Sequence, residues 1–172
     1  MIKQNLADAL NKQINAELYS AYLYLSMAAY CENISLKGFA HWMRMQTKEE
    51  VAHAMHMYEY LAERGGRIML ETIAAPPTEW ESPLDMFTEV YAHEQKVTGL
   101  INDLVNLAQD ERDHALYTFL QWYVSEQVEE EASADEIVQQ LKLMGQDNPS
   151  LLFMLDRELG QRVFVDPFAN QA

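Results

Sequence analysis

Four separated stretches of this chain carry carboxylates, and one of them adds a histidine three residues on. They are Glu17; Glu49 and Glu50 with His53; Glu94; and Glu126, Glu129 and Glu130. Carboxylate with imidazole is a ligand set suited to iron, manganese or zinc. Glu50 and His53, three apart, leave one helix face together. A lone Glu-x-x-His arises often by chance and reads equally well as a surface pair, so its weight comes from its surroundings. Glu126, Glu129 and Glu130 share a face by the same spacing, with Trp122 one turn earlier, although a run such as Glu129, Glu130, Glu131 must send some acids outward. Glu49 and Glu50 differ by about 100° of rotation and cannot both address one centre. Glu49 could instead meet Glu126 and Glu129 at a neighbouring, weaker site.

The elements that carry these residues read as helices. Leu6, Leu10, Ile14, Leu18, Leu25 and Ala29 recur at helical spacing and predict a first helix over about 5–33. Asn33 is expected to close it in the left-handed conformation, and Ser35 to cap a second helix running to about 64. Gly65 and Gly66 stop that helix. Ser82 and Pro83 open a third, since proline's missing N–H would be unpaired in a first turn. It runs to about 111, where Asp113 can cap a fourth that ends near Gly145. Asn148 and Pro149 then start a short fifth helix that Gly160 ends. Short links join the first helix to the second and the third to the fourth, so each pair is antiparallel. The second-to-third link, about 17 residues, can cross the whole bundle. The expected fold is therefore all-α: residues 1–145 as a four-helix bundle with one long crossover, and 146–172 as a short C-terminal helix and tail of the same domain.

Each long helix spans roughly 42 Å, and Glu17, Glu50, Glu94 and the Glu126–Glu130 group lie near the four midpoints. Mid-height is the level that antiparallel neighbours share. Four inward acids, Glu17, Glu50, Glu94 and Glu130, would carry four negative charges into the interior, a cost that bound cations reverse. Two divalent ions balance them, with His53 as a neutral ligand and Glu50 as a shared bridge. Tyr24, two turns from Glu17, could donate a hydrogen bond to a ligand or an electron during oxygen chemistry, or simply pack in the core.

Composition narrows the classes. Of the 172 residues 49% are apolar, enough for one globular domain, and the net charge of -15 argues against a nucleic-acid partner. The single cysteine, Cys31, excludes internal disulfides and four-cysteine metal sites. Met1–Leu10 has no apolar signal core, and no stretch is long and apolar enough to span a membrane. A reducing cytoplasm is the expected location.

The early Glu17 with Tyr24, the segment Lys48-Glu49-Glu50-Val51-Ala52-His53, the pair His93-Glu94 and the segment Glu126-Gln127-Val128-Glu129-Glu130 resemble the non-haem bacterial ferritins over essentially the whole chain. The resemblance implies a five-helix subunit in a hollow shell of two dozen copies that stores ferric mineral. It also implies a ferroxidase centre where two ferrous ions react with dioxygen. By that likeness the first iron is held by Glu17, Glu50 and His53, and the second by Glu50, Glu94 and Glu130. A third iron site comprises Glu49, Glu126, Glu129 and Glu130. Gln127 stands beside the centre, and Tyr24 assists oxygen reduction. The haem-bearing relatives have a second Glu-x-x-His on the fourth helix and a methionine on the second; here Gln127, Glu130 and Val51 stand there, so no haem is expected. Animal members line an entry channel with acids early in the fourth helix, and Ala115–Ser125 contains none. Leu151–Leu155 sends apolar side chains to nearly every side of the fifth helix, which predicts burial by subunit contact.

Overall fold

The computed structural model describes residues 1–145 and 148–169, so part of the expected boundary between bundle and C-terminal helix lies outside the described residues. Among the described residues five helices follow in order: α1 Gln4–Asn33, α2 Lys37–Glu63, α3 Pro83–Asp110, α4 His114–Met144 and α5 Pro149–Leu159. No helix among the described residues is long and apolar enough to cross a membrane.

Residues 64–82, between α2 and α3, are the long crossover, and side chains of α1 hold it. Ile2 N–H bonds the carbonyl of Arg64. Asn11 donates to the Arg67 carbonyl and accepts from Met69 N–H, and Ser26 donates to the Pro77 carbonyl. Trp80 then packs edge-on against Tyr30. Partners on α1 and on the crossover advance together, so the link travels the full length of α1. It returns the chain to the end where α2 began, and α3 therefore runs in the same direction as α2, packed against α1, while α4 climbs back along α3.

The corners are tight for identifiable reasons. After α1, α2 and α3 the chain turns through Ser35, Gly65 and Arg112, all at positive φ. Each time the N–H of that residue and the N–H after it return to carbonyls of the last turn, as in Leu36 N–H to Cys31 and Asp113 N–H to Ala108. The left-handed residue is thus Ser35, not Asn33, because the paired bonds need it two places beyond the last helical residue. Ser35 cannot then cap α2. Leu36 takes that position and supplies no side-chain bond. The cap comes from α5: Asp156 Oδ1 accepts from Gly38 N–H at 2.7 Å and Phe39 N–H at 3.0 Å. Gly38 permits this approach, since a Cβ there would meet the Asp156 carbonyl oxygen at 1.5 Å. At the α3–α4 corner Asp113 takes Leu116 N–H at 3.0 Å and pairs with Arg64 at 2.8 Å.

The apolar core is in two parts. One lies towards the α1–α2 corner and includes Met27, Phe39, Met43, Phe87 and Val138. The other lies at the opposite end and includes Leu6, Leu10, Met57, Leu61, Ile101 and Leu120. Between them every long helix contributes buried polar residues: Glu17, Gln46, Glu50, His53, Glu94, Gln127 and Glu130. The fifth helix buries Leu155 and Leu159 within its own chain, whereas Leu151, Phe153 and Met154 are exposed. Its all-round apolar pattern is therefore half satisfied by docking on α2.

Replacing Asp156 with Ala should lower the thermal unfolding midpoint by an amount matching a lost cap, about 1 kcal/mol. Gly38→Ala should lower it further, because the added methyl drives α5 off α2. Unfolding followed by circular dichroism on both variants checks the order.

Candidate metal centre

Glu17, Glu50 and His53 place ligand atoms within 4.8 Å of one another, all from buried side chains. His53 Nδ1 lies 3.8 Å from Glu50 Oε2, and its Nε2 is buried with no hydrogen-bond partner among the described residues. An imidazole nitrogen left so would be costly, and it fits a group that takes a metal. Trp122 and Tyr123 pack edge-on against the ring and keep it in place.

Two glutamines, not read from the sequence as site residues, orient these acids. Gln13 donates to Glu17 Oε1 at 2.8 Å. Gln46, fully buried, spans two helices by donating to Glu50 Oε1 at 3.1 Å and to Glu130 Oε2 at 2.8 Å. Each glutamine on its own helix sits one turn before the glutamate it serves, and that spacing was the available signal. On the α3 side the Tyr24 hydroxyl donates to Glu94 Oε1. Gln127 donates to Glu94 Oε2 at 3.2 Å, so Tyr24 and Gln127 grip one carboxylate from opposite helices. His93, next in sequence, turns away to Ser20 Oγ at 2.8 Å, and His56 meets the Tyr123 hydroxyl at 2.9 Å.

A second group forms on the flank. Glu49, Glu126 and Glu130 bring ligand atoms within 4.8 Å, with Glu130 buried and the other two half-buried. Glu129 is exposed and outside this group. Arg162, from the segment after α5, pairs with Glu49 at 2.5 Å. That contact joins residues 113 apart in the chain, and no local pattern announces it.

Burial sets the electrostatics. Desolvation first, then repulsion from Glu50, pushes Glu17 from its ordinary 4.5 up to about 8. Burial likewise raises Glu50 and Glu130 well above the usual range, each with added repulsion from Glu94. Glu94 is raised by burial and eased by the Tyr24 and Gln127 bonds. The phenol of Tyr24 is raised well above 10.0 by burial and the surrounding acids, so it remains a donor. An unmetallated centre thus keeps protons that cations must displace.

The sign of the consequence is clear. Between about 4.5 and about 8 the folded chain holds the Glu17 proton that the unfolded chain has lost, so apo-protein stability falls as pH rises through that window. Unfolding of apo-protein across it should show this decline, and zinc should flatten it. Calorimetry in buffers of differing ionisation enthalpy should record proton release on zinc binding at pH 7.

Residues 7–144 match the ferritin-like domain family model. A bacterial non-heme ferritin of Bacteroides fragilis is 44% identical over 162 residues, covering 94% of this chain and 100% of the relative. Another, from Staphylococcus saprophyticus, is 40% identical over 164 residues, covering 95% and 98%. Among solved structures, an open-pore ferritin from the hyperthermophilic archaeon Archaeoglobus fulgidus superposes with a TM-score of 0.92 at 56% identity, covering 95% of this chain and all of that one. An engineered closed form of the Archaeoglobus ferritin gives 0.94 at 55%, covering 96% and 100%. With bundle, crossover and acidic mid-layer in agreement with these likenesses, the chain belongs to the ferritin family of iron-storage proteins.

Proposed function

We propose that the protein oxidises ferrous iron with dioxygen at a paired site and keeps the ferric product inside a shell of many copies. Glu17, Glu50 and His53 hold one ferrous ion; Glu50, Glu94 and Glu130 hold the other. The observation that carries this reading is the cluster of Glu17, Glu50 and His53, buried at mid-height with a histidine nitrogen that has no other partner among the described residues. Four carboxylates match the charge of two divalent ions, and loading replaces protons with metal.

Each ferrous ion then gives one electron to dioxygen. The protein's part is positioning and charge compensation, while iron supplies the redox chemistry. Tyr24 sits within hydrogen-bonding reach of Glu94 and serves as donor beside the second ion. Gln127 holds the other Glu94 oxygen. Glu49, Glu126 and Glu130, with Glu129 at the exposed rim, form a third site through which iron passes towards the mineral.

Association into a shell is supported by exposed apolar side chains, among them Tyr22 and Leu25 on α1, Leu70 and Ile73 on the crossover, and Phe153 and Met154 on α5.

Aerobic addition of ferrous iron to apo-protein, followed by ferric absorbance and particle imaging, tests the reading. Glu50→Gln and His53→Ala should slow oxidation roughly a hundredfold, and Tyr24→Phe about tenfold with binding retained. Wild-type rates in the ligand variants, or particles no larger than dimers, would defeat it.

A further inference from the structure

The segment after α5 turns back along the face of α2 that carries the flanking acids. It is anchored at both ends. The Arg162 guanidinium lies over the Trp42 ring, 4.4 Å from its centroid, and the Arg162 carbonyl accepts from His41 Nε2 at 2.8 Å. Six residues on, Phe168 stacks on His56 with 3.7 Å between centroids and meets Trp122 edge-on at 4.6 Å. Residues 161–169 thus form a strap along α2 and α4 beside Glu49, Glu126 and Glu130.

The inner end of the strap makes charged contact with the site. Arg162 Nη2 donates to Glu49 Oε2 at 2.5 Å, and Nη1 donates to Gln46 Oε1 at 2.6 Å. Gln46 is the same amide that holds Glu50 and Glu130. A guanidinium does not lose its charge at ordinary pH, so Arg162 is a permanent cation in contact with one member of the acidic group. The Arg162 and Glu49 side chains are 23% and 19% exposed, which leaves room for an ion to enter from solvent. An incoming ion that takes Glu49 must part this pair.

We infer that Arg162 is a tethered cation that competes with metal for Glu49, so that an ion at the third site is loosely held and loosens the strap as it binds. This rests on the third-site reading proposed above. Two cations that contend for one carboxylate lower each other's affinity by the same factor. The competitor is attached to residues 161–169, so its displacement weakens one of the strap's two anchors, leaving there the Arg162 carbonyl bond to His41. A site with its own competitor passes ions onward instead of retaining them, while the paired centre, which Arg162 reaches only through Gln46, keeps its hold.

Zinc, which does not change oxidation state, is the probe. Full-length assembled wild type, Arg162→Gln and Arg162→Lys are titrated by calorimetry, with hydrogen exchange followed over residues 161–168. The weakest class of zinc site should tighten about tenfold in Arg162→Gln, with the two tighter ions per chain unchanged. Arg162→Lys, which keeps the charge, should stay close to wild type. In the wild type, zinc filling of the weak class should speed exchange of the strap. Unchanged or weakened third-site affinity in Arg162→Gln, or a strap whose exchange does not rise with zinc, would overturn the inference. A wild type that lacks the two tighter ions would instead remove the paired-site reading, since competition is read on the weak class and on the strap.

Discussion

The structure is organised around one costly act, the burial of four carboxylates and a histidine between four helices. An ion brought into a protein interior costs several kcal/mol even after relaxation, and the chain meets that cost locally and globally. Locally, Gln13, Gln46, Gln127 and Tyr24 each donate to an acid that would otherwise face its neighbours bare. Globally, the apolar core of the described residues divides into two clusters that close the bundle above and below the polar layer. A fully buried leucine or phenylalanine contributes roughly 1.5–3 kcal/mol, so the clusters supply the stability that the middle layer consumes. The mid-layer is affordable because it is thin.

Polarity is graded across the bundle. On the α1 and α3 side Tyr24, Glu94 and Ser20 are buried or nearly so, and His93 is driven down to about 4 by burial and Lys96, which leaves it neutral at ordinary pH. Towards α2 and α4 the acids become half-exposed at Glu49 and Glu126, then fully exposed at Glu129. An ion that followed this gradient would pass from a dry site, where charge is balanced by fixed partners, to a wetter one where water can share the coordination. Burial raises Glu126 as well, with His53 and Arg162 opposing the rise and Glu49 and Glu129 adding to it.

Much of this was legible in the chain. Link lengths were enough for the antiparallel pairs and the crossover, because a tight turn leaves a helix no choice but to return. The mid-height acids stood out since a helix maps residue number directly onto height. What escaped was decided by contacts between distant segments. The cap of α2 is Asp156, more than a hundred residues away, so the local candidate Ser35 was free to serve as the left-handed corner. The Arg162 contact with Glu49 is equally remote. Gln46 was visible but ambiguous: a glutamine one turn before a glutamate is as common on a surface as in a core, and only the packed bundle turns its amide towards two carboxylates.

At the α3–α4 corner, Asp113 ends one helix through its N–H, begins the next through its carboxylate, and is clasped by Arg64, the first residue after α2. There is no slack residue between the two helices, so the corner acts as a common origin from which Glu94 is counted backwards and Glu126 and Glu130 forwards. One residue inserted between origin and ligand would swing the ligand about 100° around its axis and turn it from the interior towards a neighbouring helix or solvent. Within each helix, then, the number of residues is itself a coordinate of the metal centre, and ligand geometry is inherited as an arithmetic of spacing as much as a choice of side chains.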